Sequence, residues 1–310
     1  MIDINSSNFI NDFDMKNATV GVVGHGFVGK AVDEFFKGKC NVLVHDRQKP
    51  ELQTLKQVVE GSEVIFVCVN TPMRTDGSCY TGFVEEVISD VKRTAAEIGR
   101  SLESFVVCVK STVYPGFIED MQAKHLPMRL TFSPEFLTEA NSVQDFKNTN
   151  RIVVGGMEED ALIICKYFAE ADPQKLVPTK DGPPMRLILQ TDSTTAEMVK
   201  LFANGMLAAK VMFSNEIFLM CERLGISYND VRSIACLDQR IGIGHTQVPG
   251  PDGDLGYGGH CFPKDVNSLR AIAKDLGTGE KIISAMIERN EEIRKNKDWL
   301  EMKNRAVIDK

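Results

Sequence analysis

The chain has 310 residues, 43% of them hydrophobic and 25% charged, with a formal net charge of −7. That length can bury the cores of two domains, and the composition is that of a soluble globular protein rather than a disordered or fibrous one. The acidic balance argues against a nucleic-acid partner, and no run approaches the ~18 apolar residues of a membrane span.

The opening stretch, MIDINSSNFINDFDMKN, is polar and acidic and lacks the basic and apolar regions of a signal peptide. It reads as a short arm ahead of the first strand of a cytoplasmic protein. Eight cysteines are scattered without a C-x-x-C pair, and no zinc ligand set or other metal site is evident. Cys68 and Cys108 lie in apolar runs and read as reduced, buried small hydrophobes.

Residues 18–36, ATVGVVGHGFVGKAVDEFF, pass from an apolar strand pattern through Gly24-x-Gly26-x-x-Gly29 into a helix pattern. The next strand candidate, NVLVHD, ends at Asp46, 17 residues after Gly29. Strand, glycine turn, helix and distal carboxylate in this order form a dinucleotide-binding fingerprint. Gly24 would make the tight turn, Gly26 would let a pyrophosphate approach, and Gly29 would let helix and strand pack. Phe27 and Val28 open the helix, whose N-terminus favours phosphate. Asp46 would accept from ribose hydroxyls and favour NAD over NADP, although the adjacent Arg47 suits a 2′-phosphate.

Further strand candidates are EVIFVCVNTP, SFVVCVKSTV, RLTFSPEF and RIVVGG, mostly continuous apolar runs as in a parallel sheet covered on both faces. Helix patterns such as GFVEEVISDVKRTAAEIG separate them. The expected fold is α/β, an N-terminal Rossmann-like doubly wound parallel sheet followed by an all-helical domain. Three strands end in Asn70-Thr71-Pro72, Lys110-Ser111-Thr112 and Ser133-Pro134-Glu135, which should line one cleft at the carboxyl edge of the sheet. Thr71 and Pro72 join the candidate cofactor contacts. Thr112 reads equally as a helix cap before Pro115, and Glu135 as a solvated loop carboxylate.

From Asp192 the composition turns helical. One long helix of about 30 residues, roughly 45 Å, is expected to start at a Thr194-x-x-Glu197 capping box and stop at Gly225. Its body is apolar nearly all round, which predicts burial. Lys200 and Asn204 interrupt it on one face, a cost unless they have partners or face a polar site. A second helix over SYNDVRSIACLD follows, a glycine-rich loop leads to GYGGHCFPKD, and a helix restarts near Asp265. The tail is amphipathic, then mostly charged. The expected domains are residues 1–190, binding NAD, and residues 191–310, helical and carrying the cysteine loop. The long helix would serve as connector and homodimer surface.

In GYGGHCFPKD, glycines allow close backbone approach, Lys264 could ease ionisation of the Cys261 thiol, and Asp265 could act as a base. With GHGFVG, NTP, KSTVYPG, SPEFLTEANSVQDFKNTNRIVVGG and EMVKLFANGMLAAKVMFSNEI in order before it, the chain resembles the UDP-glucose/GDP-mannose dehydrogenase family. The resemblance implies a four-electron oxidation of a nucleotide sugar's C6 alcohol to a carboxylate with two NAD⁺, and UDP-glucose as the substrate. GDP-mannose or a UDP-N-acetylhexosamine are variants of that reading. It makes Cys261 the nucleophile, through a thiohemiacetal and then a thioester. Lys200 and Asn204 would stabilise oxyanions. Asp265 with Lys200 would move protons through a water held by Thr112, and Glu135 would assist hydrolysis. Glu135, Phe136, Leu137, Lys200, Asn204 and the loop through Tyr257, Gly258 and Gly259 would lie along the substrate. Lys264 would stabilise the thiolate or contact the nucleotide, and Thr112 also counts among the cofactor contacts.

The chain departs from the family in three ways. It stops soon after the connecting helix, where members carry a third, nucleotide-closing domain, and so reads as a short member or a fragment. Tyr80 or Thr81 stands where an aspartate is usual. The GHTQVPGPDGD stretch resembles an insertion. Two rival readings are a β-hydroxyacid dehydrogenase, which needs no cysteine thioester, and a non-catalytic NAD-binding protein.

Overall fold

Short apolar runs between turn signals form strands buried on both faces, and they build the sheet of this protein. The computed structural model describes residues 14–176 and 186–309 fully, and residues 2–3, 178–179 and 182–184 by backbone pairing alone. The chain divides into two compact units, Met1–Thr71 with Thr81–Lys200, and Pro72–Tyr80 with Leu201–Lys310.

The strands of the first unit are β1 (Ile2–Asp3), β2 (Thr19–Val23), β3 (Asn41–His45), β4 (Val64–Val67), β5 (Val106–Val109), β6 (Arg129–Phe132), β7 (Arg151–Gly156), β8 (Pro178–Thr179), β9 (Gly182–Pro184) and β10 (Leu187–Thr191). Eight of them make one sheet in the order β1-β10-β7-β6-β5-β4-β2-β3, while β8 and β9 pair separately. Pairing is parallel from β3 through β6 and between β7 and β10. It is antiparallel between β6 and β7 and at the edge strand β1. The strand order reverses direction at β2 and β4, which makes their carboxyl ends the topological switch point. The opening stretch is therefore more than an arm, since Ile2 and Asp3 pair with Gln190 and Leu189; Met1 and residues 4–13 lie outside the described residues.

Helices α1 (Phe27–Phe36), α2 (Leu55–Gly61), α3 (Gly82–Glu97), α4 (Phe117–His125), α5 (Ser142–Asn148) and α6 (Glu158–Ala171) cover the sheet. Val64 and Phe66 of β4 pack into one core with Phe35, Phe146 and Phe168. Ile65 and Val67 pack into the other with Val84, Ile88 and Phe117. That two-residue alternation into two cores is the doubly wound arrangement. Cys68 and Cys108 are buried as expected, and burial pushes their thiols up to about 12 and about 11.

Helix α7 (Ser193–Leu224) runs 32 residues. Its start differs from expectation. The Asp192 carboxylate, not Thr194, caps it by accepting from Thr195 N at 2.7 Å. Glu197 instead caps α4, accepting from Gly116 N at 2.6 Å and Ile118 N at 3.0 Å. The pair that looked reciprocal in sequence turns to α4 instead, with Thr194 Oγ1 donating to Glu119 Oε1 at 3.0 Å. The stop at Gly225 (φ +69°) holds, with Ile226 N donating to Cys221 O. The expected all-round burial does not hold, because Phe202, Met206, Phe213, Met220 and Leu224 are exposed.

The second unit adds α8 (Tyr228–Ala235), α9 (Cys261–Asp275) and α10 (Lys281–Ile293). Ala208 and Met212 of α7, Tyr257, Val266 of α9 and Ile287 of α10 form its main core. The charged tail is tied in by Trp299, Ala306 and Val307, which cluster with Met73. Met73 N donates to Ala306 O at 2.8 Å, and Ile308 N donates to Met73 O at 2.9 Å. Among the described residues no helix is long and apolar enough to cross a membrane.

Candidate functional site

In the first unit the glycine turn follows β2 and opens α1. Gly24 has φ +91°, and a Cβ there would lie 2.7 Å from the Cys68 carbonyl oxygen. A Cβ at Gly29 would lie 1.9 Å from Gly24 O, so only glycine lets α1 sit this close. At Gly26, the residue before α1, a Cβ would meet nothing within 4 Å. Two glycines are thus required by the fold, and the third leaves open space at the N-terminal amides of Phe27 and Val28. The opening suits a dinucleotide pyrophosphate. Asp46 Oδ2 accepts from His25 N in this loop at 2.7 Å, and Oδ1 accepts from Gln48 N at 2.9 Å. Burial opposes its charge, but these amides hold the carboxyl below its ordinary value. Arg47 pairs with Glu86 at 3.0 Å.

The ends of β4, β5 and β6 adjoin. Ser111 Oγ donates to Val69 O at 2.6 Å; Thr112, the next residue, and Thr71, two residues beyond Val69, are buried. Lys110 lies under the next loop, donating to Ser133 O at 2.9 Å and Ser133 Oγ at 3.1 Å. Burial lowers its ammonium. Above it, Glu135 is 6% exposed rather than solvated. Its Oε1 accepts from Lys200 Nζ at 2.7 Å, its backbone oxygen accepts from the same ammonium at 2.7 Å, and its Oε2 accepts from Leu137 N at 2.8 Å. The Phe136 ring stacks under Arg151 at 4.0 Å and faces Lys200 at 5.9 Å. The costly lysine of α7 therefore has a carboxylate partner from the β6 loop.

In the second unit Cys261 is the first residue of α9, not the end of a loop. The helix begins four residues earlier than expected because Pro263 sits in the first turn, where no amide donor is needed. Asp265, one turn on, is 1% exposed. Its Oδ2 accepts from Asn204 Nδ2 of α7 at 2.5 Å, and its Oδ1 accepts from Lys264 Nζ at 2.5 Å. Burial would lower the Lys264 ammonium, but the Asp265 carboxylate more than offsets it and holds the group above the ordinary lysine value.

The glycines before Cys261 serve chiefly the chain's own packing. A Cβ at Gly256 (φ +70°) would lie 2.2 Å from Asn290 Oδ1, and one at Gly258 would lie 2.1 Å from Arg294 Nη2. Only Gly259 faces open space. Asn290 brackets Tyr257 by accepting from its N and donating to its O, at 2.8 and 3.0 Å. Asp298 accepts from Gly259 N at 3.1 Å. Arg294, 4% exposed, reaches Asp252 and Leu255 O. Sequence reasoning passed over Asn290, Arg294 and Asp298 as a charged tail. Their one available signal was an asparagine and an arginine four residues apart on an amphipathic pattern.

Two sequence models of one family match the chain. The UDP-glucose/GDP-mannose dehydrogenase family NAD binding domain matches residues 38–170 and the family's central domain matches residues 194–292. The chain is 32% identical over 262 residues to the UDP-glucose 6-dehydrogenase TuaD of Bacillus subtilis, covering 82% of this chain and 51% of that protein. It is 31% identical over 266 residues to the UDP-glucose 6-dehydrogenase of Rickettsia bellii, covering 84% and 56%. The chain thus spans about half the length of the curated relatives it matches. A UDP-glucose dehydrogenase structure from Pyrobaculum islandicum superposes with a TM-score of 0.75 at 27% identity, covering 91% of this chain and 69% of that one.

Proposed function

Because the chain belongs to the UDP-glucose/GDP-mannose dehydrogenase family, we propose that it oxidises the C6 alcohol of a nucleotide sugar, UDP-glucose foremost, to the carboxylate with NAD⁺. The observation that carries this reading is the hydrogen bond from Asn204 to Asp265 at 2.5 Å, which ties the long helix to the cysteine helix one turn beyond Cys261. A costly buried amide and carboxylate, the carboxylate one helical turn from Cys261, suit oxyanion binding and proton handling better than packing alone.

In this account residues 1–190 bind NAD and residues 191–310 carry the cysteine. Gly24, Gly26, Phe27, Val28 and Gly29 receive the pyrophosphate, and Asp46, Thr71, Pro72, Thr112 and Lys264 complete the cofactor contacts. NAD⁺ supplies the hydride acceptor twice. Asp265, with Lys200 and a water held by Thr112, takes the hydroxyl proton as the first hydride leaves C6. Cys261 sulfur adds to the resulting aldehyde, and Lys200 and Asn204 stabilise the oxyanion. Loss of the second hydride leaves a thioester, which Glu135 helps water to hydrolyse. Glu135, Phe136, Leu137, Lys200, Asn204, Tyr257, Gly258 and Gly259 line the substrate. The exposed apolar residues of α7, spaced 4, 7, 7 and 4 apart from Phe202 to Leu224, share one helix face and support a homodimer; the location in this reading is the cytoplasm.

The test is Cys261→Ser. NAD⁺ binding is expected to persist while uronate formation stops. Full two-step turnover by the variant would sink the thioester mechanism.

A further inference from the structure

Cys261 has a titratable neighbour that the mechanism above leaves unused. His260 immediately precedes α9 and is 7% exposed, and its Nδ1 lies 3.3 Å from Cys261 Sγ. A buried imidazole within hydrogen-bond reach of a thiol is the arrangement of a base beside its nucleophile. We propose that His260 is a catalytic base for Cys261, an inference that rests on the thioester reading and adds a residue to it.

The step is a proton transfer. With the ring proton on Nε2, Nδ1 accepts the thiol proton, the S–H electron pair stays on sulfur, and a thiolate remains beside an imidazolium. That thiolate adds to the aldehyde carbon. When the thioester hydrolyses, sulfur leaves as thiolate and the proton on Nδ1 can return to it.

The other charged and titratable groups nearby are less suited to this task. Lys264 follows on the same helix, but its ammonium is engaged by Asp265 at 2.5 Å. The Asp265 carboxylate is already engaged by both Lys264 and Asn204. Cys79, from the Pro72–Tyr80 segment, acts electrostatically on Lys264, as does Cys261 itself. Asp298 accepts from Gly259 N, and His245 faces the Phe262 ring at 5.8 Å.

The test measures iodoacetamide alkylation of the Cys261 peptide by mass spectrometry at pH 6.5 and 9.5, in the wild-type protein and in His260→Asn, His260→Gln and Lys264→Met. Cys68, Cys108 and Cys165 are buried, so their protection reports folding in each variant. An unassisted thiol is only about 1% thiolate at pH 6.5. The wild type is therefore expected to react at pH 6.5 within about threefold of its rate at 9.5. The His260 variants should lose about tenfold or more at pH 6.5 and little at 9.5. Equal profiles in wild type and variants overturn the proposal, as does a drop seen only in Lys264→Met. If the His260 variants expose the buried cysteines, the wild-type profile decides, and a hundredfold fall from pH 9.5 to 6.5 overturns it. The assay needs neither sugar nor NAD, so its result stands apart from the dehydrogenase reading, which fails instead on absent NADH formation.

Discussion

Lys200 Nζ donates to the Glu135 carboxylate and to the Glu135 backbone oxygen, each at 2.7 Å, with both side chains 5% exposed or less. The ammonium thus fixes both the position of the loop after β6 and the orientation of its carboxylate. Removing one member leaves the other charge buried without its counter-ion, a loss of about 3–5 kcal/mol. Lys200→Ala should lower the urea midpoint by a corresponding amount. Combining Lys200→Met with Glu135→Gln should recover most of the stability and none of the activity. A double variant no more stable than Lys200→Ala would show that the pair is not the source of the loss.

Glu197 makes stability depend on pH. Burial raises its carboxyl to about 7, against the lowering effect of the Ile118 and Gly116 amides. The folded state therefore holds a proton that the unfolded state has released between the ordinary carboxylate range and about 7. The sign follows: this contribution is full below the unfolded value and is lost as pH rises through about 7, amounting to at most about 3 kcal/mol. Denaturation of wild type and Glu197→Gln across pH 4 to 8 should show that decline only in the wild type, although the variant also loses one acceptor. Parallel curves would contradict the assignment.

The start of α7 gives a local test. Asp192→Ala should cost about 1 kcal/mol as a lost cap, whereas Thr194→Ala should cost only a few tenths. Thermal midpoints ranking Thr194→Ala as the worse variant would restore the capping box.

At Gly258 a side chain meets Arg294. Gly258→Ala should abolish turnover and lower the thermal midpoint more than Gly259→Ala, whose cost is only the left-handed backbone, roughly 1 kcal/mol. Adding Arg294→Ala to Gly258→Ala should recover part of the midpoint by opening the space. No recovery would mean that the guanidinium is not what the glycine accommodates.

These cases mark where sequence was informative. The strands, the glycine turn and the span of α7 were legible because each is written in neighbouring residues: continuous apolar runs, three glycines at fixed spacing, a glycine stop. The Thr194-x-x-Glu197 pattern misled because Glu197's partners lie 79 and 81 residues away, at the start of α4. The glycines before Cys261 looked like room for a ligand, yet Asn290 and Arg294 fill most of that room from a segment read as a charged tail. The apolar residues of α7 predicted burial without saying against what, and five of the largest remain exposed on one face. Lys200 and Asn204 were correctly marked as needing partners. Which partners they have depends on loop placement that local pattern does not encode.

Two successive oxidations through Cys261, as proposed above, require a fixed stoichiometry. The most direct measurement is the amount of NADH formed per molecule of UDP-glucose at limiting substrate, with UDP-N-acetylglucosamine, UDP-N-acetylmannosamine and GDP-mannose run alongside. Two NADH per sugar consumed, together with a uronate product, are expected for UDP-glucose. One NADH and an aldehyde product would contradict that expectation and leave Cys261 without its covalent role.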